Sequence, residues 1–314
     1  MELTTSLMTN VRRELTDWLS LLTLMLMWGS AFLFTKIATT ALPMQTIVSA
    51  RLAIAALILV PLAVVLSKRI PFDARLWLFF ILIALVGNLL PFSLITWGQQ
   101  FIDSGLAGIL MSAMPLATLG LAHLFVPGEQ LTFYRVSGFI LGFIGVVVLI
   151  GPDALLAAGG ERAPILPMLA VLGGALCYGV SSILARLRPA SDALSTATAV
   201  VVLAALLSLP GGIAAGRVET VTLSASVIIA ILFLGLMSTA LALIVYFRLI
   251  QSAGPAFTSQ LNYLIPLWAV GIGVLFLDEQ PTLAHLIGLC CILAGILLSR
   301  RAPPPVRALA SKAV

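Results

Sequence analysis

The chain has 314 residues, of which 61% are hydrophobic and 9% charged, with a formal net charge of +5. Soluble domains are about one-quarter charged, so a chain with mean hydropathy +1.16 cannot clothe a water-facing surface, and its solvent is lipid. The basic balance does not imply nucleic acid, because Lys and Arg of membrane proteins gather in cytoplasmic loops.

Residues 1–17 carry Glu2, Arg12, Arg13, Glu14 and Asp17 without an apolar core ahead of a cleavage site. They read as a cytoplasmic N-terminal segment, with the first helix as the insertion signal. From there, apolar stretches of the ~20 residues that a membrane helix takes follow one another to residue 299. A barrel strand would alternate apolar and polar residues, whereas Phe139–Ile150 is apolar throughout. Ten helices are predicted, at 18–38, 44–67, 75–97, 104–126, 131–150, 165–187, 193–213, 224–249, 254–277 and 281–299. The fold class is an all-α polytopic membrane protein. A linker, 151–164, separates residues 18–150 from 165–300, and a Pro-rich cytoplasmic tail, 301–314, is expected to be disordered.

With the N-terminus inside, 13 of the 17 Lys and Arg residues fall on the cytoplasmic side and three outside, leaving Arg51 within a span. That bias places both termini in the cytoplasm, in a plasma (bacterial inner) membrane. Cys177, Cys290 and Cys291 sit in apolar runs without CxxC spacing, as packing residues rather than disulfide or metal ligands.

The two halves repeat. Glu129-Gln130 recurs 150 residues on as Glu279-Gln280, Trp28-Gly29 matches Tyr178-Gly179, and Lys36 matches Arg186. Gly138 and Gly145 match Gly288 and Gly295, while Pro115 matches Pro266 with a one-residue slip. The offset spans five helices, an odd number, so the second copy enters the membrane from the opposite side. Inverted repeats of this kind build many secondary transporters, with substrate sites between them near the midplane.

The residues carrying a family resemblance are "WGSAF" (Trp28–Phe32), Arg51, "SGLAGILMSAMPL" (Ser104–Leu116) leading to "GEQLT", and the stretch Ser252–Thr282 ending in "DEQPT". In order and spacing they resemble the EamA repeat of the drug/metabolite transporter superfamily, over roughly 18–300. The resemblance implies a ten-helix carrier in which helices 5 and 10 flank a central cavity, and some members are similar to exporters of amino acids and related metabolites. The second half departs from the first at Val201, which stands where Arg51 would repeat.

Catalytic machinery is not visible. All twelve acidic residues lie in tails, loops or span ends, and neither His123 nor His285 belongs to an HExxH motif. No enzyme activity, metal or cofactor is expected. Helix 1 lacks the membrane glutamate expected of a cationic-drug antiporter, which favours neutral or zwitterionic solutes.

Arg51 has two readings. One is a structural arginine bonded to helix-end carbonyls or a loop carboxylate; the other is a contact for a substrate carboxylate. Gly108, Met111, Ser112 and Pro115 share one face of helix 4, and Ser259, Asn262, Tyr263 and Pro266 take the same spacing in helix 9. Each proline frees a backbone carbonyl in the preceding turn, and polar neighbours there either line a cavity or bond between helices. Asn88 beside Pro91 in helix 3, Ser238 in helix 8, and the repeat partners Trp28 and Tyr178 complete the substrate-binding candidates. The glycine stripe Gly138, Gly142 and Gly145, echoed by Gly288 and Gly295, serves helix packing or a homodimer seam through helices 5 and 10.

The leading reading is a secondary transporter of small neutral or zwitterionic metabolites, an amino acid exporter first, working by alternating access in the lipid bilayer, as a single chain or as a homodimer through helices 5 and 10. A drug or nucleotide/sugar-type carrier of the same fold and a non-transporting scaffold are the alternatives.

Overall fold

The computed structural model describes residues 2–68, 73–125, 132–150, 165–215 and 223–300. The linker 151–164, the tail 301–314 and the first-copy residues Glu129 and Gln130 lie outside them. Among the described residues, ten helices run in chain order: α1 (Glu2–Thr39), α2 (Met44–Val65), α3 (Ala74–Gly98), α4 (Ser104–Phe125), α5 (Phe133–Ile150), α6 (Ile165–Leu187), α7 (Ala193–Ala215), α8 (Ala225–Gly254), α9 (Leu261–Leu277) and α10 (Leu283–Arg300). The helical backbone continues briefly past Gly254 to Thr258. Eight of the ten are long and apolar enough to cross a membrane, and the shorter two cover Leu261–Leu277 and Leu283–Ser299. At 1.5 Å per residue, 17 residues span ~26 Å, close to the ~30 Å hydrocarbon core. The first apolar span begins at Leu15, inside an already helical α1.

Helix starts follow local chemistry. Asp73 accepts from the Leu76 amide at the head of α3, and Asp192 accepts from the Ser195 amide at the head of α7. Such caps satisfy amides that the helix leaves unpaired. Thr132 caps α5 through the Arg135 amide. Thr282 caps α10 through the His285 amide, and the His285 ring accepts from the Thr282 amide in return. Thr132 and Thr282, which are 150 residues apart and so repeat mates, are therefore both caps. Glu279 does something else: its two carboxylate oxygens accept from the Ser104 and Gly105 amides at 2.6 and 2.8 Å. The glutamate ahead of α10 thus caps α4, a helix of the other half.

Packing reveals the inverted repeat directly. α2 packs on α7, α4 on α9, and α5 on α10, so three helices meet their own repeat mates. The remaining pairs come in matched sets: α1 meets α9 and α8, while its mate α6 meets α4 and α3. A helix touching its own mate must lie beside the pseudo-two-fold axis. The fold is thus ten helices in two inverted five-helix repeats.

The glycine stripe is used within the chain. At the α5–α10 crossing, Gly138 and Gly295 meet backbone to backbone, and Gly145 faces the Gly288 carbonyl. A side chain at Gly138 would run into the Gly295 carbonyl and Ser299.

Three helices depart from the regular geometry expected of them. α4 breaks after Met111, where Ser112 and Ala113 donate back three residues to Ile109 and Leu110. Pro115 explains this, since its ring excludes the hydrogen bond to Met111 four residues back. α3 and α8 each contain a π-helical stretch, at Leu85–Leu89 and Phe233–Leu241. These coincide across the repeat offset, and π segments often mark functional positions.

Candidate functional site

A cavity of about 410 Å³ lies between the repeats, walled by α1, α2, α3, α4, α6, α8 and α9. Neither α5 nor α10 contributes to its wall. The expectation that they flank the cavity is corrected: their glycine faces are spent on each other, which draws them away from it.

The aromatic wall is built on the repeat mates Trp28 and Tyr178, both of which reach the cavity. Trp28 donates its indole N–H to the Ser238 carbonyl at 3.1 Å, and its ring lies 5.2 Å from that of Tyr246. Next to it, Gly29 makes room for a neighbour: a side chain there would begin 2.5 Å from Trp268, whose indole donates to Ser30 at 2.9 Å. The sequence "WGS" therefore seats α1 against α9 with one indole on each helix.

Polar groups come from the irregular backbone. Asn88 sits in the π stretch of α3, and Ser238 and Thr239 sit in the π stretch of α8. All three line the cavity. The π turn leaves the Leu234 carbonyl to accept from both hydroxyls, Ser238 at 3.0 Å and Thr239 at 2.8 Å. Their oxygens in turn accept from Arg51, whose Nε reaches Thr239 at 2.8 Å and whose Nη2 reaches Ser238 at 3.2 Å. The guanidinium covers the Phe92 ring at 3.8 Å from its centroid, a cation–π contact. Arg51 is 9% exposed and has no carboxylate partner among the described residues.

Met111, Ser112, Asn262 and Pro266 also line the cavity. Tyr263 does not: it packs against the apolar cluster around Leu106 and Leu110. Pro91 is buried away from the wall, its carbonyl against Gly174 of α6, and Pro115 stands in the turn behind Met114. Gln99, Thr35, Thr96, Phe92, Ser182 and Thr239 are wall residues absent from the sequence-derived set. Thr96 and Gln99 follow Phe92 by four and seven residues, the helical spacing of one face, and that spacing was the available signal.

The cavity differs between its ends. Where α1 and α3 finish, Thr35, Thr96 and Gln99 are at most 3% exposed. Lys36 donates to the Gln99 and Ile102 carbonyls at 3.0 and 2.8 Å, and Gln99 donates to the Phe32 carbonyl at 3.0 Å. A cation thus holds the carbonyl end of α3, and the Glu279 carboxylate holds the amide end of α4, with only the turn between them. Both charges sit where the helix dipole favours them. At the opposite end, Ser182, Ile250, Ser259 and Asn262 are partly exposed.

These features define a polytopic membrane protein of inverted-repeat architecture with a central, mainly apolar cavity. Residues 17–151 and 165–301 each match the EamA-like transporter family, and the chain belongs to that family. It is 23% identical over 282 residues to the uncharacterized transporter YoaV of Bacillus subtilis, covering 90% of this chain and 95% of the relative. It is 26% identical over 282 residues to the probable terminal-alkyne amino-acid exporter of Streptantibioticus cattleyicolor, covering 87% of this chain and 90% of that one. A crystal structure with 22% sequence identity superposes with a TM-score of 0.62 over 91% of this chain and 98% of its own, a likeness of fold.

Proposed function

We propose that this protein is a secondary transporter of small neutral or zwitterionic metabolites, amino acids first, that works by alternating access between its two five-helix repeats. The observation that carries this is the cavity of about 410 Å³ between the repeats, within the ~300–1,000 Å³ usual for small-molecule sites. Its aromatic walls and few polar groups suit an amphipathic solute. Amino acids lead because of the exporter of Streptantibioticus cattleyicolor, a relative over most of both chains.

The buried end at Lys36 and the partly exposed end at Ser259 fit one of two alternating states. With the N-terminus in the cytoplasm, as the Lys and Arg bias favours, the partly exposed end faces the cytoplasm, the loading side for an exporter. The test is counterflow in proteoliposomes with amino acids, sugars, nucleosides and cationic dyes. Exchange of amino acids is the expected result. Exchange of dyes alone overturns the amino acid reading, and absence of any exchange overturns the transporter reading.

A further inference from the structure

Among the described residues, the cavity wall holds one permanent charge and no group to balance it. Arg51 is the only ionised side chain lining it, and a guanidinium does not give up its proton in proteins. Its two hydrogen bonds go to neutral hydroxyls, Thr239 and Ser238. Those hydroxyls spend their own protons on the Leu234 carbonyl, so they turn lone pairs toward the cation. This solvates the charge without neutralising it. Of the five N–H donors that an arginine carries, those on Nη1 take no hydrogen bond among the described residues. One edge of a buried charge therefore has no hydrogen-bond partner among the described residues.

Three further wall hydroxyls are turned so that their lone pairs are free. Ser112 donates to the Ile109 carbonyl, Ser182 to the Tyr178 carbonyl and Thr258 to the Gly254 carbonyl. Each of these hydroxyls thereby offers the cavity an acceptor. The site can receive a hydrogen-bond donor at these positions, but nothing there supplies a negative charge.

We infer that the substrate class is the amphipathic monocarboxylate: the carboxylate is the obligatory pole, bound at Arg51, with the apolar body against Trp28 and Tyr246. Where the substrate is an amino acid, its ammonium is held by neutral acceptors and is dispensable. A solute with an ammonium and no carboxylate is disfavoured, because it sets a second positive charge near a first one that no carboxylate of the wall balances. This inference rests on the cavity being the transport site, and it goes beyond that reading by naming which end of the solute is recognised and by extending the class to monocarboxylate anions.

The test separates the poles on the unmodified protein. Purified protein in detergent is titrated with L-leucine and L-phenylalanine, with their deaminated acids 4-methylpentanoate and 3-phenylpropionate, and with their decarboxylated amines isoamylamine and phenethylamine. Binding is read as the ligand-dependent rise in thermal stability. The acids are expected to bind within about 10-fold of the parent amino acids, the loss of neutral hydrogen bonds, and the amines on the order of 100-fold more weakly, the loss of charge-assisted bonds. Amines binding as well as acids, or no binding by any carboxylate, overturns the inference. Arg51→Gln is expected to abolish the preference for acids over amines, and a retained preference overturns the assignment to Arg51. Should that variant not fold, the six-ligand series on the unmodified protein still decides. Counterflow separates the two readings: dye or sugar exchange without carboxylate binding sinks this inference and leaves a transporter, whereas no exchange at all sinks the transporter.

Discussion

Glu279→Ala tests whether the Lys36 end of the cavity is a gate. The carboxylate makes two charge-assisted hydrogen bonds, at 2.6 and 2.8 Å, to the first amides of α4. An N-terminal cap contributes ~0.5–2 kcal/mol, and an acidic charge at a helix start adds ~0.3–1 kcal/mol. The carboxylate reaches α4 from the turn ahead of α10, so it ties one repeat to the other where the cavity is sealed. Removing it should destabilise the state closed at that end by about 2 kcal/mol, shifting a two-state equilibrium ~30-fold toward opening. Glu279→Gln, which keeps one acceptor and loses the charge, should give an intermediate shift. The assay uses a background lacking Cys177, Cys290 and Cys291, with Thr96→Cys as reporter, because Thr96 lines the cavity and is 3% exposed. Labelling by a membrane-impermeant maleimide should accelerate at least ~10-fold in Glu279→Ala, allowing for partial relaxation of the loop. Unchanged labelling in a folded variant would show that the carboxylate caps α4 without gating anything.

Three further outcomes follow from contacts described above. Gly138→Ala places a methyl group against the Gly295 carbonyl; over-packing of this kind costs ~1–3 kcal/mol, and the variant should unfold at lower temperature than Gly271→Ala, where nothing lies within 4 Å. Thr239→Val removes the acceptor of the Arg51 Nε bond; a hydrogen bond to a charged group is worth ~1.5–3 kcal/mol, so chemical denaturation should show a loss of that order, with Thr23→Val, whose hydroxyl donates to the Leu19 carbonyl of its own helix, as the control. Asp192 accepts from Lys68 and from the Ser195 amide, which together hold its carboxyl below the usual range. A depressed carboxylate contributes stability above its unfolded pKa and loses it as pH falls through the lower folded value. Asp192→Asn should therefore flatten the acid limb of the stability profile below about pH 4, by less than ~1 kcal/mol because the pair is solvent-exposed.

Much of the helix framework was legible because lipid demands long, uninterrupted apolar runs. The expected span 165–187 coincides with α6, and 44–67 overlaps α2 (Met44–Val65) to within two residues at one end. Side-chain facing was harder to read. The shared face of Ser259, Asn262, Tyr263 and Pro266 presumed one unbroken helix from residue 254. The backbone instead takes φ 84° at Gly254 and is interrupted again between Thr258 and Leu261. Asn262 and Pro266, four apart, keep the cavity face, while Tyr263, one residue and ~100° further round, turns into the core. In α4 the interruption after Met111 likewise substitutes Met114 for Pro115 at the wall. The π stretches left no compositional trace, since one extra residue in a turn alters neither hydropathy nor spacing enough to register. Arg51 was legible as the sole charge deep in a span, but its partners Ser238 and Thr239 lie 187 and 188 residues away, beyond any local pattern.

The helix pairs on the pseudo-axis have a bearing on how such a molecule can diverge. The α2–α7, α4–α9 and α5–α10 contacts are the ones that two separate five-helix subunits would make across an isologous interface. In an assembly of identical subunits, any arginine in the second helix would be present twice, and the common chamber would carry two cations. Joining the halves covalently removes that restriction. Arg51 faces the chamber from one half while Val201, its counterpart, is buried in the other. The symmetric scaffold thus holds an asymmetric interior, with a cation contributed by one half alone.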